Sequence, residues 1–256
     1  MQGLCLFLSI QMVNSKINTN NKHMKFSSIL LAVVVAIAVT FYLYNNSASN
    51  KKLIKSVSTV NFKFGLTGNC RGIPKFVAPL KMRTPALDSR QQDGVMGLQI
   101  RDYSQKNKVW RHPSWGVTGY IGTFDRDKRG NVYVFPVPYV SLLNNPPEKQ
   151  NQLYIIDSKT AKMSLFMKLP SETEPNLRNP FGVMGVYYDC DTDSLYVSSV
   201  AGTKPIQETG TIYQINVKTR TILSKLENTD AVGVGVFNTS KGKRLYYGSA
   251  RSSNLF

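Results

Sequence analysis

The feature that most restricts this chain is a segment that recurs. GTFDRDKRGNVYV from Gly122, GVYYDCDTDSLYV from Gly185 and GVFNTSKGKRLYYG from Gly235 read against one another without gaps. Each carries a tyrosine, Tyr133, Tyr196 or Tyr246, eleven residues after its opening glycine. Each is two β-rich runs around a polar turn, the pattern of an antiparallel hairpin. A second hairpin follows the first. QLYIIDSKTAKMSLFMKL from Gln152 matches TIYQINVKTRTILSKL from Thr211, with Tyr154 over Tyr213 and Asp157 over Asn216. A fainter copy, GLQIRDYSQKNKVW from Gly97, puts Asp102 at the same point.

Two hairpins per unit make a four-stranded antiparallel blade, and recurrence every fifty to sixty residues or so is the mark of a β-propeller. NVYVFPVP and SLYVSS are nearly continuous in apolar or small residues, as strands covered on both faces require. A two-sheet sandwich would supply short strands but not this period. The expected fold class is all-β: a propeller of four-stranded antiparallel blades, about four of them or part of a six-bladed ring. Strands b to d of one blade fall at about 84–112, whole blades at 117–168 and 182–226, and half a blade at 231–256. Either strands near Val60 to Phe64 close a small ring, or the domain over 66–256 is a truncated copy of a larger propeller, the alternative favoured here.

The hairpin Asp127-x-x-Gly130-Asn131-Val132-Tyr133-Val134 resembles the D-x-x-G-N-[IVL]-Y-V signature of NHL-repeat propellers. It is similar also to the gluconolactonase-like and strictosidine-synthase-like six-bladed propellers, over roughly Ala86 to Phe256. The resemblance implies a fold class and no single activity, because such folds host lyases, lactonases, sensors and binding proteins.

The net charge is +17, and eleven of the basic residues precede Asp88, the first acid. The basic excess thus belongs mostly to the N-terminal third, and no basic stripe of the kind nucleic-acid binding needs runs through the repeats. Its origin is a polar leader over 1–25, then Phe26 to Tyr44, nineteen uncharged residues with lysines on either side. That run is long enough to cross a ~30 Å hydrocarbon core. It is expected to be a transmembrane signal anchor, followed by a linker over 45–65, although Ser47-Ala48-Ser49 also offers small residues for signal cleavage. Met24 reads as a more natural start than Met1. A short N-terminus normally stays in the cytosol, which places the propeller on the extracytoplasmic side of a single-pass membrane protein. Cys70 and Cys190 lie in that exported part, where a disulfide is permitted; two buried thiols are the alternative.

Asp189, Asp191 and Asp193 alternate in the way of a cation loop. A calcium loop also wants Gly sixth and Glu twelfth, where this chain has Ser194 and Val200. The matching turn from Gly122 carries Arg126 and Lys128. The aspartates are therefore expected to cap their own hairpin backbone. Successive turns of a blade alternate between its two sides. The long loops 135–150, 169–180 and 200–209 then share the side opposite Asp191, and loops of that length are commonly functional. Strand parity puts Tyr139, Asn179, Ser198 and Arg251 there as candidate ligand-binding residues.

Gluconolactonase-like propellers hold one divalent cation with a Glu, an Asn and an Asp, and Asn179-Pro180-Phe181-Gly182 looks like their asparagine motif. The aspartate expected after the next inner tyrosine is missing: Ser198-Ser199 follow Tyr196-Val197, and Gly248-Ser249 follow Tyr246-Tyr247. Asn179 is then a weak metal candidate, with calcium or another divalent ion as the only cofactor in view. The two histidines are His23, in the leader, and His112, at the end of an outer strand, so a Ser–His–Asp site is not expected. The function expected is a membrane-tethered module binding a protein, peptide, glycan or small molecule through its long-loop face. The alternative is a lactonase-like hydrolase with a metal near Asn179.

Overall fold

A computed structural model of the chain describes residues 65–89, 94–105, 108–138, 142–251 and 255–256. The leader, the run over 26–44, the linker to residue 64 and Tyr139 lie outside the described residues. Among the described residues no helix is long and apolar enough to cross a membrane.

The described chain is all-β. Its strands are β1 (Gly65–Leu66), β2 (Pro85–Asp88), β3 (Gln99–Asp102), β4 (Val109–Trp110), β5 (Ile121–Arg126), β6 (Val132–Pro136) and β7 (Gln152–Ile156). They continue as β8 (Met163–Lys168), β9 (Val183–Asp189), β10 (Ser194–Ser199), β11 (Thr211–Asn216), β12 (Thr221–Leu226), β13 (Ala231–Thr239) and β14 (Gly242–Ser249). Neighbours pair antiparallel into the sheets β2-β3-β4, β5-β6-β7-β8, β9-β10-β11-β12 and β1-β13-β14. Four-stranded antiparallel sheets are what the repeated hairpins demand, and they are compatible with a propeller-like arrangement.

The motif that carried the family resemblance is a turn-building device. Gly130 holds φ 82, a region where a side chain clashes. The buried Asp127 carboxylate accepts the Arg129 N–H (2.8 Å), the Asn131 N–H (3.0 Å) and the Tyr133 hydroxyl (3.1 Å). The second hairpins match as aligned: Asp157 accepts from Lys159 and Thr160 N–H, and Asn216 from Lys218 and Thr219 N–H. Ala161 (φ 60) and Arg220 (φ 57) close these two turns in the same left-handed conformation. The gapless alignment of the first hairpins needs correcting. Arg126 pairs with Val132, Asp189 with Ser194 and Thr239 with Gly242. The turn thus shrinks from 127–131 to 190–193 to 240–241, because the third copy closes on Gly242 (φ 95) with no aspartate cap. Its Tyr246 consequently faces Gly235, whereas Tyr133 faces Asp125.

Burial follows the runs of apolar residues. Every residue of β6, VYVFP, is buried, while β12 at the outer edge of its sheet is almost wholly exposed. Tyr133, Phe135, Leu153, Phe166, Val183, Tyr188, Leu195 and Ile215 form one core, in which the Tyr133 and Phe166 rings meet edge to face at 5.2 Å. Phe76, Ile100, Trp115, Ile121, Val134 and Ile156 form another. Side chains of this size contribute roughly 1.5–3 kcal/mol each when fully buried. Trp115 is fully buried with its indole N–H on the Ala161 carbonyl at 2.7 Å.

The segment from β1 to the 3-10 turn Lys75–Leu80 ties sheet to sheet at their turn ends. Thr67 Oγ1 donates to the Val236 carbonyl (3.1 Å), and its own carbonyl accepts the Cys190 N–H (2.9 Å). Cys70 and Cys190 are joined as a disulfide. Arg71 grips Asp125 with two nitrogens and lies 4.8 Å over the Tyr187 ring. Gly72 N–H reaches the Asp127 carbonyl, and Lys75 and Phe76 N–H reach Ser158. A Cβ on Gly72 would stand 2.6 Å from the Lys128 carbonyl oxygen, so this crossing needs glycine.

Candidate functional site

The three aspartates of the β9–β10 turn meet protein cations from both neighbouring sheets. Asp189 is fully buried and receives the Lys243 ammonium at 2.8 and 2.7 Å, with the Thr192 hydroxyl at 2.7 Å. Asp191 takes the same ammonium at 2.9 Å and the Asn238 amide at 2.8 Å. Asp193 takes Arg129 at 2.9 and 3.0 Å and the Tyr188 hydroxyl at 2.6 Å, with the Lys128 ammonium at 3.3 Å. Burial pushes the Asp193 carboxyl up, but hydrogen bonds from Arg129 and Tyr188 and the charges of Arg129 and Lys128 outweigh it, leaving it at about 2. Lys128, the basic counterpart of the acidic turn, is itself the partner of that turn. The slot that would hold a cation holds lysine and arginine.

The long loops gather at the other end of the sheets. Ser198 pairs with Gly185 and Ser194 with Asp189, so Ser198 and the loop entering β9 lie at the end of the hairpin away from Asp191. Gln150, from the β6–β7 loop, accepts the Val183 N–H at 2.9 Å, and Gly182 accepts the Val200 N–H at 2.9 Å. Gly182 permits this joint, since a Cβ there would lie 2.2 Å from the Gln150 carbonyl oxygen. The loops around β6–β7, β8–β9 and β10–β11 are thus neighbours.

Between the last two of these and the end of β14 lies a cavity of about 420 Å³ lined by Arg178, Asn179, Phe181, Met184, Lys204 and Arg251, among others. It brings together two of the residues singled out from the sequence. Asn179 is a frame residue: its amide nitrogen donates to the Val200 and Thr203 carbonyls at 3.0 and 3.1 Å, and its oxygen accepts the Phe181 N–H at 3.2 Å. Arg251 is also framework. Its guanidinium donates to Asp230 (3.0 Å) and to the carbonyls of Pro205 (2.6 Å), Lys204 and Gln207 (3.2 Å). The Glu208 carboxylate stands 3.4 Å away. Ser198 does not line the cavity; it is fully buried and its hydroxyl has no hydrogen-bond partner among the described residues.

What the sequence did not single out is Asp230, the anchor of this end. Its side chain is 2% exposed, and besides Arg251 it receives the Thr203 hydroxyl and the Gly210 N–H. The groups left facing the cavity mouth are Arg178, Lys204 and Phe181, all exposed. Beyond them three apolar side chains stand in solvent at the tips of the three long loops: Leu143 (91% exposed), Leu177 (81%) and Ile206 (97%). A signal for Leu177 and Ile206 was present in the sequence, since each sits among polar residues and prolines where periodicity gives it no strand to belong to.

His112 lies elsewhere, its Nδ1 accepting the Ser114 N–H at 3.2 Å as the cap of the 3-10 turn Pro113–Thr118. Among the described residues no three His, Cys, Asp or Glu side chains converge as a metal site. Neither a scan against protein-family models nor a search of curated proteins finds a match for this chain.

Proposed function

We propose that this chain is a propeller-type binding module, tethered through its apolar N-terminal run on the extracytoplasmic side of a membrane, that captures a peptide or protein partner on its long-loop face. The repeated four-stranded sheets support a propeller of NHL-like or gluconolactonase-like kind. The observation that carries the binding role is the trio of solvent-exposed apolar tips, Leu143, Leu177 and Ile206, on adjoining loops. A single exposed leucine is ordinary, but apolar side chains grouped on one face mark an interaction surface. Beside them the cavity offers Phe181 as an aromatic anchor and Arg178 and Lys204 as cations. A partner segment carrying an acidic residue beside apolar ones matches this arrangement, with anchors at the centre and charge at the rim. The lactonase alternative rests on Asn179, whose amide oxygen and nitrogen both hold backbone groups of the loops.

Selection of random peptides on the immobilised full-length chain tests the reading. Enriched sequences should combine acidic and apolar residues. They should bind Leu177→Ser/Ile206→Ser and Arg178→Ala/Lys204→Ala at least tenfold more weakly, about 1.4 kcal/mol. Peptides that bind these variants as well as they bind the parent, or no enrichment at all, would refute it.

A further inference from the structure

At the turn end of the molecule, away from the long loops, a cavity of about 440 Å³ opens between the 73–77 segment, strand β2 and strand β5. Its walls include Ile73, Val77, Leu87 and Phe124, and Arg83 and Arg126 also line it. Among the described residues no carboxylate lines it. Strand β2 is the open edge of its sheet, with β3 on one side only among the described residues.

Several cations at this end are held by carboxylates. Arg71 has Asp125, Arg129 has Asp127 and Asp193, and Lys243 has Asp189 and Asp191. Among the described residues neither the Arg83 nor the Arg126 side chain has a hydrogen bond or an ion pair. The sequence neighbour of Arg126 gives no relief. Asp125 turns toward β9, where it accepts the Tyr188 N–H at 2.7 Å and both nitrogens of Arg71. Because successive side chains of a strand point to opposite faces, Arg126 shares the cavity side of β5 with Phe124. Two guanidinium groups beside one apolar-walled hollow favour an anion there.

We infer that this cavity is a second binding site, taking a small organic carboxylate with an apolar body. The planar guanidinium fork matches a carboxylate with paired N–H donors. A charge held between Arg83 and Arg126 leaves the body of the acid against Ile73, Val77, Leu87 and Phe124. A volume of this size is in the usual range for small-molecule sites. The site is independent of the long-loop face, which lies at the other end of the sheets.

The test is calorimetric titration of the full-length chain with 4-phenylbutyrate, and with 4-phenyl-1-butanol as the uncharged counterpart. Saturable binding of the acid is expected, with the alcohol at least tenfold weaker. Arg83→Gln and Arg126→Gln should each weaken the acid at least tenfold. Arg83→Lys should be intermediate, because it keeps the charge and loses the fork. Lys218→Ala, an exposed lysine outside both cavities, should leave binding unchanged. Equal binding of acid and alcohol, or no saturation by the acid at millimolar concentration, would overturn the inference without recourse to any variant. Full affinity in both folded glutamine variants, or its loss in Lys218→Ala, would overturn it as well. Inorganic phosphate binding as tightly as the acid would show a bare anion site and refute the role of the apolar walls.

Discussion

Asp193→Asn separates charge from shape at the joint between the second and third sheets. Asp193 sits at φ 51, a left-handed conformation that Asn also tolerates, so the change removes the carboxylate without straining the turn. A carboxyl at about 2 in place of its ordinary 3.8 corresponds to roughly 2.4 kcal/mol at neutral pH. The Arg129 side chain is 42% exposed and Asp193 27%, so solvent screening brings the expected loss to about 1–1.5 kcal/mol. The folded-state value is depressed. The stabilisation is therefore complete above the unfolded-state value near 4 and disappears as pH falls through about 2. Urea unfolding of parent and variant should show the full gap at neutral pH, about half of it at pH 3 and about a sixth at pH 2. Added salt at about 1 M should narrow the gap at neutral pH. A gap of one size at neutral pH and at pH 3 would mean that turn packing, and not the ion pair, holds this joint. No gap at neutral pH would refute the coupling altogether.

Two other perturbations address the same end of the molecule. Lys243→Met leaves the fully buried Asp189 carboxylate without its ammonium; the expected loss is roughly 3–5 kcal/mol, measured by urea unfolding, and Lys243→Met/Asp189→Asn should recover part of it. Cys70→Ser opens a link between residues 120 positions apart, and should cost about 3–5 kcal/mol; reductant should lower the midpoint of the parent chain to that of the variant and leave the variant unchanged.

Much of the fold was legible because hairpins are local. Asp157 and Asn216 mark their turns through hydrogen bonds to backbone two and three residues on, and such signals survive in a single sequence. The continuous apolar run of β6 likewise announced a strand buried on both sides. The third copy of the first hairpin misled for an equally local reason. A glycine-closed turn needs fewer residues than an aspartate-capped one, and the conserved spacing of Tyr246 from Gly235 concealed the difference. The crossing segment from β1 to Phe76 was legible at one point only, the disulfide open to Cys70 and Cys190. It has no period, and its bonds to Asp127, Ser158, Cys190 and Val236 are made to residues far along the chain.

The candidate sites were harder to read than the fold because charge is balanced between sheets and not along the sequence. Asp189, Asp191 and Asp193 look like an isolated acidic cluster until Lys243 from one side and Arg129 and Lys128 from the other are brought to them. Arg251 looks like a ligand-binding fork until Asp230 and the 204–208 loop take up its donors. Once those pairs are set aside, several cations are left without an ion pair among the described residues, and four of them line the two cavities. Arg178 and Lys204 remain beside Phe181 at the long-loop end, and Arg83 and Arg126 beside Phe124 at the turn end. None of the four was conspicuous in a chain of 32 basic residues. A cation facing a cavity without a partner keeps its full attraction for an incoming anion, whereas one already paired must first break that pair. Function on this scaffold is therefore to be sought at the cations the fold leaves unpaired, not at the acidic cluster that first draws the eye.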